Sequence, residues 1–469
     1  MRSIALARIL VPHDFGIAMV LATVFGIVEL LTEIGLDRAA VSSAARANAD
    51  AYRNIIHSVS LARGLINGLV LAALGPMIAW LVHAPEMALW FSSLGLISVL
   101  KGLSHFDIKQ MRQRYIYWPE GVANLIGQIT WTVVTIALAF QFRDASCMAI
   151  GILVSQLAYT TTTHILAKVR WRLHWDKVIA REIASTGAPL VPSAMINAVN
   201  TMFDRFIIGS VLGPAAVGFY SAASMMALMP RAIIARFTNN VGLSVFVNHA
   251  AAGKRQDRAF TIWVIGTVSI SLFCSIAIAC LMRPALLILF GAAFVPSPLL
   301  SILFAADFIP KFLIGLIAVP ALAFGQTKIV FNYMLASTIG LALAIVCLFV
   351  WKTTEAFVGG MLVGDLIFMA GLVIGAARIY PYPKPLTYYL VFGAIACFAV
   401  LAVVILRWPA PNPIDLHDLA IHIVAAAVLS TGFLATVFLT HRAEFSQAKV
   451  EVKKRTHDTS DPGDIAGVG

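Results

Sequence analysis

Apolar runs of about twenty residues alternate along this chain with short polar stretches, and that alternation is its strongest signal. A helix crossing roughly 30 Å of hydrocarbon at about 1.5 Å per residue needs about 20 apolar residues. Thirteen runs meet that length: 15–35, 58–82, 86–104, 120–141, 146–166, 187–209, 215–235, 259–282, 296–320, 329–350, 354–377, 387–406 and 418–440. The segments between them are short, and His83–Pro85 and Gly213–Pro214 are little more than turns. The pattern predicts an all-α polytopic membrane protein with no room for an exported catalytic domain.

Composition agrees. Of 469 residues, 60% are apolar and 12% charged, and the mean hydropathy is +0.87. Soluble domains carry about 25% charged residues, so most of this apolar surface must face lipid. The net charge of +11 reads as topology rather than nucleic-acid binding, because the cations sit between the apolar runs. One alternating set of loops (36–57, 101–118, 167–186, 236–258, 321–328, 378–386 and the tail from 441) holds 24 Lys and Arg; the other set holds Arg143, Arg283, Lys352 and Arg407. Short cytoplasmic loops retain positive charge during insertion, which places the C-terminus in the cytoplasm and Pro12–Asp14 outside. Trp80, Trp118, Trp351, Tyr388, Tyr389 and Trp408 fall at run ends, as interfacial anchors do.

Enzyme chemistry finds little to attach to. The five cysteines (Cys147, Cys274, Cys280, Cys347, Cys397) show no C-x-x-C spacing. None of H-E-x-x-H, G-x-x-x-x-G-K-[ST] or G-x-S-x-G occurs. No metal, disulfide framework or cofactor is expected.

An internal repeat is visible. Leu10-Val11-Pro12-His13-Asp14-Phe15-Gly16-Ile17 aligns with Leu212-Gly213-Pro214-Ala215-Ala216-Val217-Gly218-Phe219 at an offset of 202 residues, both octets falling outside between two runs. Duplicated bundles are frequent in transporters. A full run precedes the second octet, whereas only Met1–Val11 precede the first. The expectation is an upstream start or an abbreviated first helix, in preference to a cleaved signal peptide, since no small-residue cleavage site follows.

Ala7-Arg8-Ile9-Leu10-Val11-Pro12-His13-Asp14-Phe15-Gly16 and Glu33-Ile34-Gly35-Leu36-Asp37-Arg38-Ala39-Ala40-Val41 resemble the opening of bacterial polysaccharide-transport proteins. Asp204-Arg205-Phe206-Ile207-Ile208-Gly209-Ser210-Val211-Leu212-Gly213, with Gly218-Phe219-Tyr220-Ser221-Ala222-Ala223, is similar to the central signature of the same family, and the likeness extends through Leu289-Phe290-Gly291 and Pro320-Ala321-Leu322-Ala323-Phe324-Gly325. The family resembled is the O-antigen and exopolysaccharide flippase (Wzx-type) branch of the multidrug/oligosaccharidyl-lipid/polysaccharide superfamily. The resemblance implies two six-helix lobes around a central cavity, two further C-terminal helices, and transfer of polyprenyl-pyrophosphate-linked oligosaccharide from the inner to the outer leaflet of the bacterial inner membrane. The abbreviated first helix departs from it. The organisation expected is an N-terminal lobe at 1–168, a C-terminal lobe at 169–377, two added helices within 378–440 and a disordered cytoplasmic tail at 441–469, its basic part near anionic headgroups.

Ionisable residues inside the runs are the candidate site. Each costs about 2.5–3.5 kcal/mol at the bilayer centre, so such groups face a partner or an aqueous cavity. Asp307 and Lys311 are spaced i, i+4, as a neutralising pair would be. Asp204 and Arg205 are adjacent, so their side chains should diverge, and Arg205 lies close enough to the outer end to reach the interface. Arg63 and Arg231 lie near cytoplasmic ends, where they can snorkel or meet an entering pyrophosphate bidentately. Arg8, Arg63, Arg205, Arg231 and Lys311 are therefore the substrate-binding candidates. Glu29 and Asp365 have no opposite charge within a helical turn, and with Asp204 and Asp307 they are the candidates for coupling to H+ or Na+; Glu33 sits nearer a run end. Pro76, Pro189, Pro192, Pro230, Pro310 and Pro320 mark bends within runs.

The reading that follows is a lipid-linked saccharide flippase working by alternating access, with membrane lipid around it and a polysaccharide polymerase and chain-length proteins as candidate partners. The competing readings are a multidrug/cation antiporter of the same superfamily and a membrane enzyme of polysaccharide assembly. The short outer loops count against the enzyme.

Overall fold

The computed structural model describes residues 2–33, 36, 40, 49–187, 190–251, 257–313, 319 and 327–379. Among these every regular element is helical and no strand occurs. In chain order the helices are α1 (Arg2–Ile9), α2 (Pro12–Glu33), α3 (Ala49–Leu81), α4 (Ala88–Ser93), α5 (Gly95–Gly102), α6 (Asp107–Gln110), α7 (Trp118–Phe142) and α8 (Ser146–Leu166). They continue as α9 (Lys177–Gly187), α10 (Leu190–Met202), α11 (Asp204–Leu212), α12 (Pro214–Ala251), α13 (Asp257–Phe290), α14 (Pro298–Leu313), α15 (Thr327–Trp351) and α16 (Thr354–Ile379).

The described parts of the first eleven apolar runs fall on helix, apart from short breaks such as the one at Phe203. The runs at 387–406 and 418–440 and the tail lie outside the described residues. Among the described residues four helical stretches are long and apolar enough to span a bilayer: Ala49–Leu81, Trp118–Phe142, Pro214–Ile234 and Gly266–Phe290. A fifth candidate is the pair Pro85–Gly102 and Asp107–Arg114, bent by 58°, while Pro12–Val28 and Thr338–Trp351 are shorter apolar helices. The run expected at 58–82 begins nine residues earlier, at Ala49. At about 1.5 Å per residue this 33-residue helix is about 50 Å long, so its polar first turns, with Asp50, Arg53 and His57, extend beyond the hydrocarbon.

The polarity of a helix such as α7 is the inverse of that in a soluble protein. Ala123, Gly127, Trp131, Thr135 and Ala139, spaced four apart, are buried, while Leu125, Ile126, Ile129, Val133 and Phe140 are exposed. Small residues face neighbouring helices and large apolar ones face lipid, because hydrocarbon does not drive leucines together as water does. Close approach follows from those small residues. A Cβ on Gly64 would stand 2.5 Å from the carbonyl oxygen of Ser98, and one on Gly68 2.8 Å from that of Gly95, so α3 packs backbone-to-backbone on α5. A Cβ on Gly151 of α8 would overlap the Thr135 hydroxyl of α7 at 1.9 Å.

Two compact units emerge. One gathers Met1–Ser224, Ala285–Pro296 and Met334–Met361; the other gathers Met225–Pro284, Ser297–Tyr333 and the chain from Leu362.

In the first unit the two repeated octets meet. A Cβ on Gly16 would lie 1.8 Å from the Pro214 carbonyl oxygen, and one on Gly218 would lie 2.3 Å from that of Pro12. Residues equivalent by the 202-residue offset thus pack on one another reciprocally. Beside them Phe15, fully buried, meets Phe294 and Phe290 edge-on at 5.1 and 6.3 Å, and Phe219 meets Phe294 at 6.1 Å.

Candidate functional site

The second unit contains the most concentrated intramembrane charge. Lys311 on α14 pairs with Asp307 one turn earlier, as the i, i+4 spacing predicted. It also lies 3.5 Å from Oδ2 of Asp365 on α16. Asp365 therefore has a counter-charge after all, supplied by another helix 54 positions back and so outside the single turn in which sequence reading searched. Both carboxylates are buried. Among the described residues Oδ1 of Asp307 has no hydrogen-bond partner, and Oδ2 of Asp365 is held only by its longer ion pair with Lys311. Two carboxylates share one ammonium. Arg231, half-buried on α12, is near enough to Lys311 for their charges to interact.

The first unit brings Asp204 and Arg205 together, contrary to the expectation that they diverge. Arg205 Nη1 lies 3.6 Å from Asp204 Oδ1, and the Arg205 backbone N–H donates to the same oxygen at 2.8 Å. The physical reason is position: Asp204 is the first residue of α11, where orphan backbone N–H groups draw a carboxylate back toward the helix. The Tyr220 hydroxyl donates to Asp204 Oδ2 at 2.7 Å, and Arg205 Nε–H donates to the Ser221 hydroxyl at 3.3 Å. The central signature Asp204–Gly213 and the segment Gly218–Ala223 are thus stitched into one polar cluster, with Phe357 edge-on to Tyr220 at 5.9 Å.

The other candidates are spread out. Arg8, exposed on α1, donates from Nε to the carbonyl of Leu289 at 3.1 Å and from Nη2 to that of Ile288. These carbonyls end α13, where the helix dipole favours a cation. Arg63 lines a cleft between α3 and α5. Glu29 and Glu33 lie on α2, and their side chains are outside those described. Among the described residues no group of three or more His, Cys, Asp or Glu is arranged to hold a metal.

Sequence reading missed a buried polar network in the first unit, around the N-terminal turns of α3. Arg53 pairs with Asp50 at 2.7 Å and Asp107 at 3.6 Å, and donates to Gln110 Oε1 at 3.2 Å. Asp107 Oδ2 accepts the backbone N–H of Lys168 at 2.8 Å. His57 accepts the Phe106 N–H at Nε2 (3.1 Å) and faces the Arg172 carbonyl with Nδ1 (3.3 Å), which sets its neutral tautomer. His57 stacks on Trp171 at 5.5 Å and meets His105 edge-on at 4.8 Å; His105 meets His164 at 5.4 Å. Burial, reinforced by His105, pushes the His57 imidazole down to about 3. Burial pushes His105 down to about 4 against the pull of Asp107. Both rings are neutral pieces of structure that tie the 103–107 and 168–172 loops to α3. The density of His, Asp and Arg in the loops 36–57 and 101–118 was the available signal.

Comparison with known proteins agrees with this architecture. A family model described as "Polysaccharide biosynthesis protein" matches residues 5–299. The amylovoran biosynthesis protein AmsL of Erwinia amylovora is 22% identical over 312 residues, 65% of this chain and 79% of that protein. The succinoglycan biosynthesis transport protein ExoT of Rhizobium meliloti (strain 1021) is 25% identical over 292 residues, 61% of this chain and 58% of that protein. Among solved structures, the lipid II flippase MurJ in an inward closed conformation superposes with a TM-score of 0.74 at 14% identity, covering 94% of this chain and 96% of that one. An inward-facing multidrug resistance MATE transporter of the MOP superfamily superposes at 0.64 and 18% identity, covering 81% and 93%. Those identities carry the fold: the chain has the MurJ/MATE architecture of a multi-pass membrane protein. The family match covers more than half of the sequence, and the chain belongs to the polysaccharide biosynthesis protein family.

Proposed function

We propose that this protein moves polyprenyl-pyrophosphate-linked oligosaccharide repeat units from the inner to the outer leaflet of the bacterial inner membrane, for exopolysaccharide or O-antigen synthesis. The observation that carries the reading is the family match over residues 5–299 on a fold shared with a lipid flippase. In this mechanism two lobes, 1–168 and 169–377, alternate in access. The anionic head enters from the cytoplasm while the polyprenyl tail stays in lipid, and the lobes then rock to release the head outside. The C-terminus is cytoplasmic, following the distribution of Lys and Arg. A polysaccharide polymerase and chain-length proteins receive the exported unit.

Arg8, Arg63, Arg205, Arg231 and Lys311 supply the positive charge for the diphosphate. Arg8, Arg205 and Lys311 have protein partners in the described state, so each exchanges them for phosphate oxygens during the cycle. The coupling carboxylates are Glu29, Asp204, Asp307 and Asp365. When Lys311 turns to the diphosphate, the two buried carboxylates it held gain by taking up a positive charge, as H+ or Na+, because an uncompensated buried charge is costly.

A deletion strain examined for lipid-linked repeat units tests the cargo. Stranded units on the inner leaflet are the expected result. Loss of polymer without stranded units would place the protein at another step, and unchanged polymer with raised sensitivity to cationic drugs would favour the antiporter. For coupling, Glu29→Gln and Asp365→Asn should each impair export at normal protein level; full export by both removes the assignment.

A further inference from the structure

We propose that the stretch joining α8 to α9, with the first turn of α9, is an interfacial anchor that docks on anionic phospholipid headgroups. From Ala167 to Asp176 the chain is not helical, and α9 follows at Lys177. Its inner side is fastened to α3. Trp171 stacks on His57 at 5.5 Å, the His174 backbone N–H donates to the Ser58 hydroxyl at 2.9 Å, and the Tyr52 hydroxyl donates to Glu182 at 2.6 Å. Ile183 joins Ile55, Ile56 and Phe106 in one buried cluster, with Ile179 and Ala180 packed against it.

Those contacts set the depth. Trp80, 72% exposed near the far end of α3, marks one interface. About 30 Å of hydrocarbon takes about 20 residues of helix, so the opposite interface falls near Ser60. His174, held at Ser58, is therefore at the edge of the hydrocarbon, and the residues around it lie among headgroups.

The outer side has the composition that such a layer selects. Leu173 is 51% exposed, Trp175 57% and Val178 78%. Large apolar side chains held in water are unfavourable, whereas at this depth they rest on the upper acyl carbons, as those of in-plane helices do. Arg170, Arg172 and Lys177 are interleaved with them and exposed, and none has an ion-pair partner among the described residues. The nearby carboxylates are engaged elsewhere: Asp176 Oδ1 accepts the backbone N–H groups of Val178 and Ile179, capping α9, and Glu182 accepts the Tyr52 hydroxyl. Guanidinium takes phosphate oxygens in pairs, and anionic lipid attracts basic segments beside a span. The cations select anionic over zwitterionic lipid, and the apolar side chains select a lipid over a free phosphate. Docking of this kind requires nothing of the exported cargo.

The test uses the full chain in nanodiscs of phosphatidylcholine with or without phosphatidylglycerol. With the five native cysteines replaced, a fluorophore on Leu173→Cys or Val178→Cys should be quenched by lipids brominated on their acyl chains and shielded from aqueous iodide. Lipid retained by the solubilised protein is read by native mass spectrometry. The wild type should keep phosphatidylglycerol over phosphatidylcholine by at least threefold (about threefold is the smallest preference that counts as selective). The triple variant Arg170→Gln, Arg172→Gln, Lys177→Gln should lose most of that preference. Arg143→Gln, at an exposed cation in the turn after α7, should retain it. The unfolding temperature in phosphatidylcholine alone checks that the triple variant folds, and the quenching decides the docking without it. Labels quenched by iodide and not by brominated lipid would overturn the proposal, as would an unchanged preference in the triple variant. Labels shielded from iodide only when a second protein is present would assign the surface to a protein partner and overturn it as well.

Discussion

Single residues fix where helices touch. Gly16 and Gly218 each occupy a place where a methyl group would run into the backbone of the other repeat. Gly16→Ala and Gly218→Ala should therefore each destabilise the protein by about 1–3 kcal/mol, the range for overpacking against groups that cannot yield. Gly121 is the control: it lies in α7 with nothing within 4 Å of an added Cβ, so Gly121→Ala should be neutral or raise stability by about 0.5–1 kcal/mol through the chain-entropy cost of glycine. Thermal unfolding of the detergent-solubilised variants checks the contrast. The octets were legible as a repeat, but their mutual contact was not, because a 202-residue offset says nothing about distance. Lys311 teaches the same lesson. Its bond to Asp307 follows from spacing, whereas Asp365 arrives from another helix. Lys311→Met should cost about 3–5 kcal/mol by leaving two buried carboxylates without their cation, and adding Asp307→Asn should recover part of it. No recovery in the double variant would show that the carboxylates do not depend on the ammonium.

At the scale of elements, the apolar periodicity located helices well and their ends less well. The runs marked hydrocarbon, so the polar first turns of α3 were read as loop and the buried network built on them was missed. That network makes stability depend on pH. The unfolded chain protonates its histidines near 6.5, whereas folded His105 and His57 stay neutral down to about 4 and about 3. Between those limits the unfolded state binds more protons, so folding stability falls as pH is lowered through this window. Unfolding temperatures between pH 7.5 and 4.5 should decline in the wild type and decline less steeply in His105→Gln. Equal slopes would show that these rings do not carry the effect.

At the scale of the whole molecule, the expected topology rests on signals that insertion reads locally: apolar length decides what crosses, and flanking Lys and Arg decide which way. Partnerships among intramembrane charges were less legible, since they depend on which helices become neighbours. The contrast shows in the tight turns. Arg143 and Lys352, two of the few cations assigned outside, each take a left-handed backbone conformation directly after a long helix, so each marks an abrupt reversal of the chain, as an outer hairpin requires. Arg170 and Lys177 lie in the stretch after α8 that is assigned inside, and all four are exposed. In a version with the five cysteines replaced by alanine or serine, Arg143→Cys and Lys352→Cys should react with a membrane-impermeant maleimide in intact spheroplasts. Arg170→Cys and Lys177→Cys should react only after the membrane is opened. The reverse pattern would invert the orientation of every span.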